Sequence, residues 1–169
     1  VQVVLLDVCD EDALESCLRG DGIQDVMHAA AHKHVPLVEA SPAEGLRNNV
    51  FGTKSALCAS ESSGVERFVF LSTDKAVEPM GVMGATKRLA EELVRASSMR
   101  TAVLRCCNVL DSKGSVTETF RRRLIEGLPL ELTHAQASRW FTTMDDIGTW
   151  LVHMLALADD GPVFVPQVH

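Results

Sequence analysis

The sequence predicts an α/β fold, a doubly wound parallel sheet with helices on both faces. Two observations carry this reading. Short, uniformly apolar runs alternate with longer stretches of helical periodicity. The apolar runs also lack the in–out alternation of a sheet with one wet face, so they read as strands buried on both sides. With 169 residues, 46 % of them hydrophobic, the chain has the material for one packed core.

Taken in order, Val1–Leu6 is a β-branched and leucine run, read as a strand that ends at Asp7. Asp10 is placed to cap a helix in which Ala13, Leu14, Cys17 and Leu18 recur at helical spacing, until Gly20 and Gly22 stop it. Asp25–Ala31 reads as a strand. Pro36 and Pro42 punctuate the approach to a long helix over Ala43–Ser62, ended by Ser63 and Gly64. Arg67–Leu71 is the next strand, and Met83–Ser98 a helix whose Leu89, Leu93 and Val94 are spaced for a core. Thr101–Cys106 is a strand. A helix from Ser115, a short strand near Leu130–Leu132, a helix over Asp145–Leu157 and a strand at Val163–Val165 complete the pattern. The expected division is 1–110 for the main sheet and 111–169 for a smaller portion.

Composition excludes several classes. A net charge of -7 disfavours a duplex-binding surface, which depends on Lys and Arg neutralising phosphates. The five cysteines form no CxxC pair and read as small apolar residues rather than a zinc site or disulfide framework. No signal or transit segment is visible. The most apolar helical stretch, Trp150–Ala158, is too short to span a bilayer and carries His153. Because the chain opens on Val1 inside an apolar run, it is read as part of a longer protein.

In parallel sheets, ligands bind at the carboxyl ends of the strands. Three clusters fall there. In HAAAHKHVP (His28–Pro36), Ala29, Ala30 and Ala31 leave room for close approach, although a tightly packed turn would look the same. Its histidines lack carboxylate or cysteine partners at ligand spacing, so no metal site is expected. Ser72-Thr73-Asp74-Lys75 places hydroxyl, carboxylate and amine side by side directly after a strand; such groups move protons, or simply form a solvated turn. Met83 and Lys87 lie four apart and share one helix face.

Together HAAAHKHVPLVEASP, NNVFGT, RFVFLSTDKAVEP, VMGATKRLAEELV and NVLDSKGSV resemble the UDP-N-acetylglucosamine 4,6-dehydratases of the polysaccharide biosynthesis family, within the extended short-chain dehydrogenases/reductases. The resemblance runs from about Leu5 to Val165. It implies a Rossmann-like sheet whose glycine-rich pyrophosphate turn is absent here, since no GxGxxG or GxxGxxG occurs. It also implies bound NAD rather than NADP, held near Asp7, Val8, Ala29, Ala30, Ala31 and Asn49, with Lys87 on the nicotinamide ribose. The implied reaction oxidises the sugar at C4, eliminates water across C5 and C6, and returns the hydride to C6. Thr73 would bind the C4 oxygen, while Asp74 and Lys75 divide the acid and base work.

The resemblance places His32, Lys33, Asn108, Ser115 and Arg139 toward the nucleotide sugar, within 111–169 for the last two. Met83 occupies the tyrosine position of the YxxxK pair, as in a methionine branch of the family, and the chain contains no tyrosine at all. Asp111 and Lys113 replace the usual glycine and arginine of NVLGSRGS. A UDP-sugar epimerase and a non-catalytic truncated remnant are the alternatives; the 1–169 piece alone is expected to be inactive. A homo-oligomer is expected, in the cytoplasm, or at the cytoplasmic face of the membrane if a preceding segment carries transmembrane helices.

Overall fold

The computed structural model describes residues 1–132 and 134–168. Helix α1 (Glu11–Asp21) starts where the Asp10 carboxylate accepts from the Ala13 N–H, and ends on Gly22 at φ 60°, a left-handed conformation that glycine adopts without a Cβ penalty. Strand β1 (Asp25–His28) is followed by α2 (Val35–Ala40). Then α3 (Pro42–Leu46), a π-helical turn (Arg47–Phe51) and α4 (Gly52–Ser62) form one continuous helical run. Strand β2 (Arg67–Thr73) leads through a 3-10 turn (Asp74–Ala76) to α5 (Val82–Ala96) and β3 (Arg100–Cys106). The remainder comprises β4 (Asn108–Val109), α6 (Val116–Ile125), β5 (Phe141–Thr142), α7 (Met144–Leu157) and β6 (Asp160–Phe164).

The main sheet has the order β1-β2-β3-β6 with every pairing parallel. Successive side chains of a strand point to opposite faces. Phe68 and Phe70 accordingly pack with Ala56 and Leu57 of α4 and with Ala90 and Val94 of α5. On the other face Val69 joins Leu104, Ile147 and Met154, so α7 covers that side. Both phenylalanines are fully buried, each stabilising the fold by about 2–3 kcal/mol. Helix α7 and strand β6 thus complete the sheet although they follow residue 110. No helix among the described residues is long and apolar enough to cross a membrane.

The structure departs from the sequence reading in several places, among them Leu89, which lies 50 % exposed on α5 rather than in the core. Val1–Leu6 forms no strand: the segment pairs with nothing, and Val1, Val3 and Leu5 are exposed. β-Branched composition favours an extended chain, but a strand exists only where its backbone groups find partners. Strand β1 stops at His28, freeing Ala29–Ala31 as a loop. No strand forms at Leu130–Leu132; instead β4 and β5 make a separate two-stranded parallel sheet. The long helix also carries its π turn at Arg47–Phe51, a single-turn widening common near functional sites.

Candidate active site

The carboxyl ends of β1, β2 and β3 open into a cleft of about 520 Å³. Thr73, Lys75, Met83, Lys87 and Asn108 line it, as do Ala29 and Ala31. Thr73 sits at the last position of β2, and its hydroxyl donates to Asp74 Oδ1 at 2.9 Å. Lys75 Nζ donates to the same Oδ1 at 2.9 Å and to Asn108 Oδ1 at 3.2 Å. A hydroxyl, a carboxylate and an amine are therefore joined in one hydrogen-bonded chain. The 3-10 turn makes this possible, because it folds Lys75 back over Thr73 instead of continuing the strand.

Opposite stands the first half of α5. Gly84 packs directly on the Lys75 carbonyl, where a Cβ would collide with the backbone. Glu39 of α2 caps the helix by accepting from the Val82 N–H at 2.6 Å; the residue at the N-cap position, Gly81, has no side chain to do so. Met83 and Lys87 thereby face the cleft with only 7 % and 6 % exposure. A thioether moves no proton, so Met83 contributes shape alone.

Lys87 donates to the Leu71 carbonyl at 2.6 Å and lies 3.9 Å from the centre of the Phe70 ring. Burial disfavours its ammonium form, and the nearby Glu91 charge offsets this only in part, leaving a pKa of about 7. His28 stacks on the same Phe70 ring, with the ring centres 5.6 Å apart. Burial, with the Lys87 charge adding to it, pushes the imidazole down to about 3. Thr53 spends its hydroxyl proton on the Asn49 carbonyl, so His28 Nε2 is the donor in its 3.0 Å contact with Thr53. His28 is thus a neutral core residue.

The remaining candidates divide. Asn49 is 1 % exposed and its amide is occupied: it accepts from His32 N–H and donates to the His32 carbonyl and to Thr86. It shapes the loop after β1 from behind rather than lining the cleft. Asn108 lines the cleft but is engaged by Lys75 and the Trp140 carbonyl. Ser115 borders the cleft and caps α6. Lys33 reaches across to Ser112 Oγ at 3.2 Å. His32 contacts Glu44 and His34 abuts Gly114, so the three histidines diverge. The Cys9 N–H donates to Asp7 at 2.9 Å and, with Arg47 paired to it at 3.4 Å, holds its carboxyl below the usual range. Val8 packs beside Gly52. Ala30 is exposed and borders the cleft only through its neighbours, and Arg139 stands outside the lining, bonded to the Ser138 carbonyl.

Sequence reasoning missed a buried cluster behind the cleft. Glu91 of α5, 1 % exposed, accepts from Ser72 at 2.5 Å and from two nitrogens of Arg105 at 3.0 and 2.6 Å. Its spacing of four from Lys87 was the available signal.

Comparison with known proteins agrees with this architecture. The chain is 40 % identical over 165 residues to a probable polysaccharide biosynthesis protein, EpsC, of Bacillus subtilis, covering 95 % of this chain and 28 % of the relative. It is 32 % identical over 170 residues to a UDP-N-acetylglucosamine 4,6-dehydratase (inverting) of Campylobacter jejuni, covering 96 % and 50 %. A UDP-glucose 4-epimerase of Rickettsia rickettsii is 35 % identical over 153 residues, covering 86 % and 45 %. Among solved structures, the dTDP-glucose 4,6-dehydratase DesIV of Streptomyces venezuelae, with NAD and TYD bound, superposes with a TM-score of 0.88 at 25 % identity, covering 95 % and 56 %. The chain spans between about a quarter and about half of the length of these proteins. Its residues 1–169 match throughout the family described as polysaccharide biosynthesis protein, and the chain belongs to that family.

Proposed function

We propose that this chain forms the catalytic part of an NAD-dependent nucleotide-sugar 4,6-dehydratase acting on a UDP-N-acetylglucosamine-like substrate in surface polysaccharide biosynthesis. The observation that carries the reading is that Thr73 and Lys75, joined through Asp74 in one hydrogen-bonded chain at the end of β2, line one cleft with Lys87, while Asp74 itself lies outside that lining. The residues present fit a dinucleotide: Ala29 and Ala31 keep the cleft open beside β1, and Lys87 brings a buried donor for a ribose hydroxyl. NAD bound there would supply the acceptor, and later the donor, of a hydride.

The protein's own groups then handle the protons. Thr73 binds the C4 hydroxyl and passes its proton to Asp74, to which its own hydroxyl already donates. Asp74 thereby becomes the acid that protonates the C6 hydroxyl as it leaves as water. Lys75 serves as the base that takes the C5 proton made acidic by the C4 ketone, and later returns it to C5. The proton balance closes: one water leaves, and both Asp74 and Lys75 regain their starting states. Met83 lies outside this route, which accounts for a cleft that works without tyrosine.

A UDP-sugar 4-epimerase is the second reading, favoured by the epimerase relative. It has no use for a C5 base, and Lys75 lining the cleft beside Asp74 supports elimination. The test is the full-length protein with UDP-N-acetylglucosamine in deuterated water, followed by NMR. Loss of the C6 hydroxyl with deuterium at C5 is expected. Inversion at C4 with C6 intact would replace the dehydratase by the epimerase, and no turnover despite bound NAD would replace both by a non-catalytic protein.

A further inference from the structure

The mechanism leaves one buried ionised cluster unused. Glu91 is fully buried, yet its carboxylate is saturated: Oε1 accepts from Ser72 and from Arg105 Nε, and Oε2 accepts from an Arg105 terminal nitrogen. Arg88 adds a distant contact at 3.9 Å from the exposed side. The Arg105 side chain is itself only 14 % exposed. This pairing is two-pronged, which fixes orientation as well as charge. It joins α5 to β2 and β3 immediately behind the cleft, since Ser72 precedes Thr73 and Glu91 follows Lys87 by one helical turn.

We propose that Glu91 and Arg105 act as a positioning and charge-balancing pair, which fixes Ser72 at the cleft wall and governs how readily Lys87 gives up its proton. The inference rests on the reading that Lys87 works in the cleft. Three charges share this buried region, two positive and one negative. Because Arg105 takes both oxygens of Glu91, Lys87 is left with a carbonyl and an aromatic face as its close partners. The other groups around Lys87 do not supply a free anion. His28 on β1 is neutral, Cys106 on β3 is a thiol pushed up to about 12 by burial, and Asp74 is taken by Lys75. Arg88, beside Lys87 on the helix, is paired with Glu92. A lysine so placed holds its proton loosely near neutral pH, consistent with its depressed pKa. Its charge toward the ribose hydroxyl it would hold therefore depends on the pair behind it.

The two partners make opposite predictions, which a purely structural role does not. In full-length protein, the Lys87 side chain is followed by carbon-detected NMR through a pH titration, assigned with Lys87→Arg. Glu91→Gln keeps the volume but removes the anion, and is expected to lower the Lys87 titration midpoint by about one pH unit. Arg105→Met frees Glu91 to act on Lys87, and is expected to raise the midpoint by a similar amount. The acid limb of the kcat profile should move in the same directions, with KM for the sugar nucleotide changed less than threefold or so. Midpoints that move together, or stay in place in folded variants, overturn the proposal. Should Glu91→Gln fail to fold, Arg105→Met decides alone: an upward midpoint supports the pair and an unmoved one refutes it. The NMR titration reads Lys87 whether or not UDP-N-acetylglucosamine is dehydrated, so failure of the functional reading is separately visible.

Discussion

The two walls of the cleft are built differently. The wall formed by β2 and the start of α5 is anchored in the core: Ser72, Met83, Lys87 and Glu91 are all buried, and their hydrogen-bond partners lie on β2, β3 and α5. The wall formed by Asp111–Ser115 and α6 is held at the surface. Helix α6 has no buried residue, and the loop before it is tied by Lys33 to Ser112, Arg121 to Asp111 and the seat of Gly114 against His34. Exposed contacts of this kind stabilise by tenths of a kcal/mol to about 1 kcal/mol, whereas buried polar joints cost several when broken. The difference teaches a division of labour. The side chains behind the cleft are fixed by the core, and the segment that borders it at the surface is left freer to adjust.

Acid should break the anchored wall first. The His28 pKa is about 3 in the folded protein against 6.5 when exposed, so between these values the unfolded chain binds the extra proton. The stability contributed by His28 is therefore complete above about pH 6.5 and declines as pH falls toward 3, by roughly 5 kcal/mol in the limit. Urea unfolding midpoints measured from pH 7 to pH 4 should fall accordingly, and His28→Phe should flatten the slope. An equal slope in that variant would remove His28 from the account.

Glycine substitutions sharpen the contrast at the next level. Gly84→Ala drives a Cβ into the Lys75 carbonyl, so either α5 or the Thr73–Lys75 turn must move. We expect a loss of about 2 kcal/mol in stability and a fall in kcat of at least tenfold or so. Gly114→Ala meets only the His34 ring, which can swing aside, although φ 73° adds about 1 kcal/mol of backbone strain. Its effect should appear mainly in KM. Thermal unfolding with steady-state kinetics on both variants checks this; a kcat defect for Gly114→Ala matching that of Gly84→Ala would erase the distinction between the walls.

Ser112→Ala is the mildest probe. It removes an exposed acceptor from Lys33 and should cost less than about 0.5 kcal/mol, with a KM rise of roughly twofold. A larger stability loss would show that the surface tie holds more of the fold than its exposure implies.

The sequence by itself determined the alternating strands and helices, and with them the parallel sheet. Apolar runs such as Arg67–Leu71 and Thr101–Cys106 are local patterns that report burial directly. It also placed Thr73, Asp74 and Lys75 at a strand end, and set Met83 and Lys87 on one helical face. Only the tertiary structure decided which groups meet. Val1–Leu6 has strand composition but no partner. Asn49, read as facing a cofactor, is occupied by the backbone of His32 and by Thr86, contacts 17 and 37 residues away in sequence. Arg105 and Glu91 are 14 apart and Lys33 and Ser112 are 79 apart, separations that no periodicity encodes. Periodicity records whether a residue is buried, because burial repeats with the element. The identity of its partner depends on how whole elements pack, and that is settled only when the sheet and its covering helices come together.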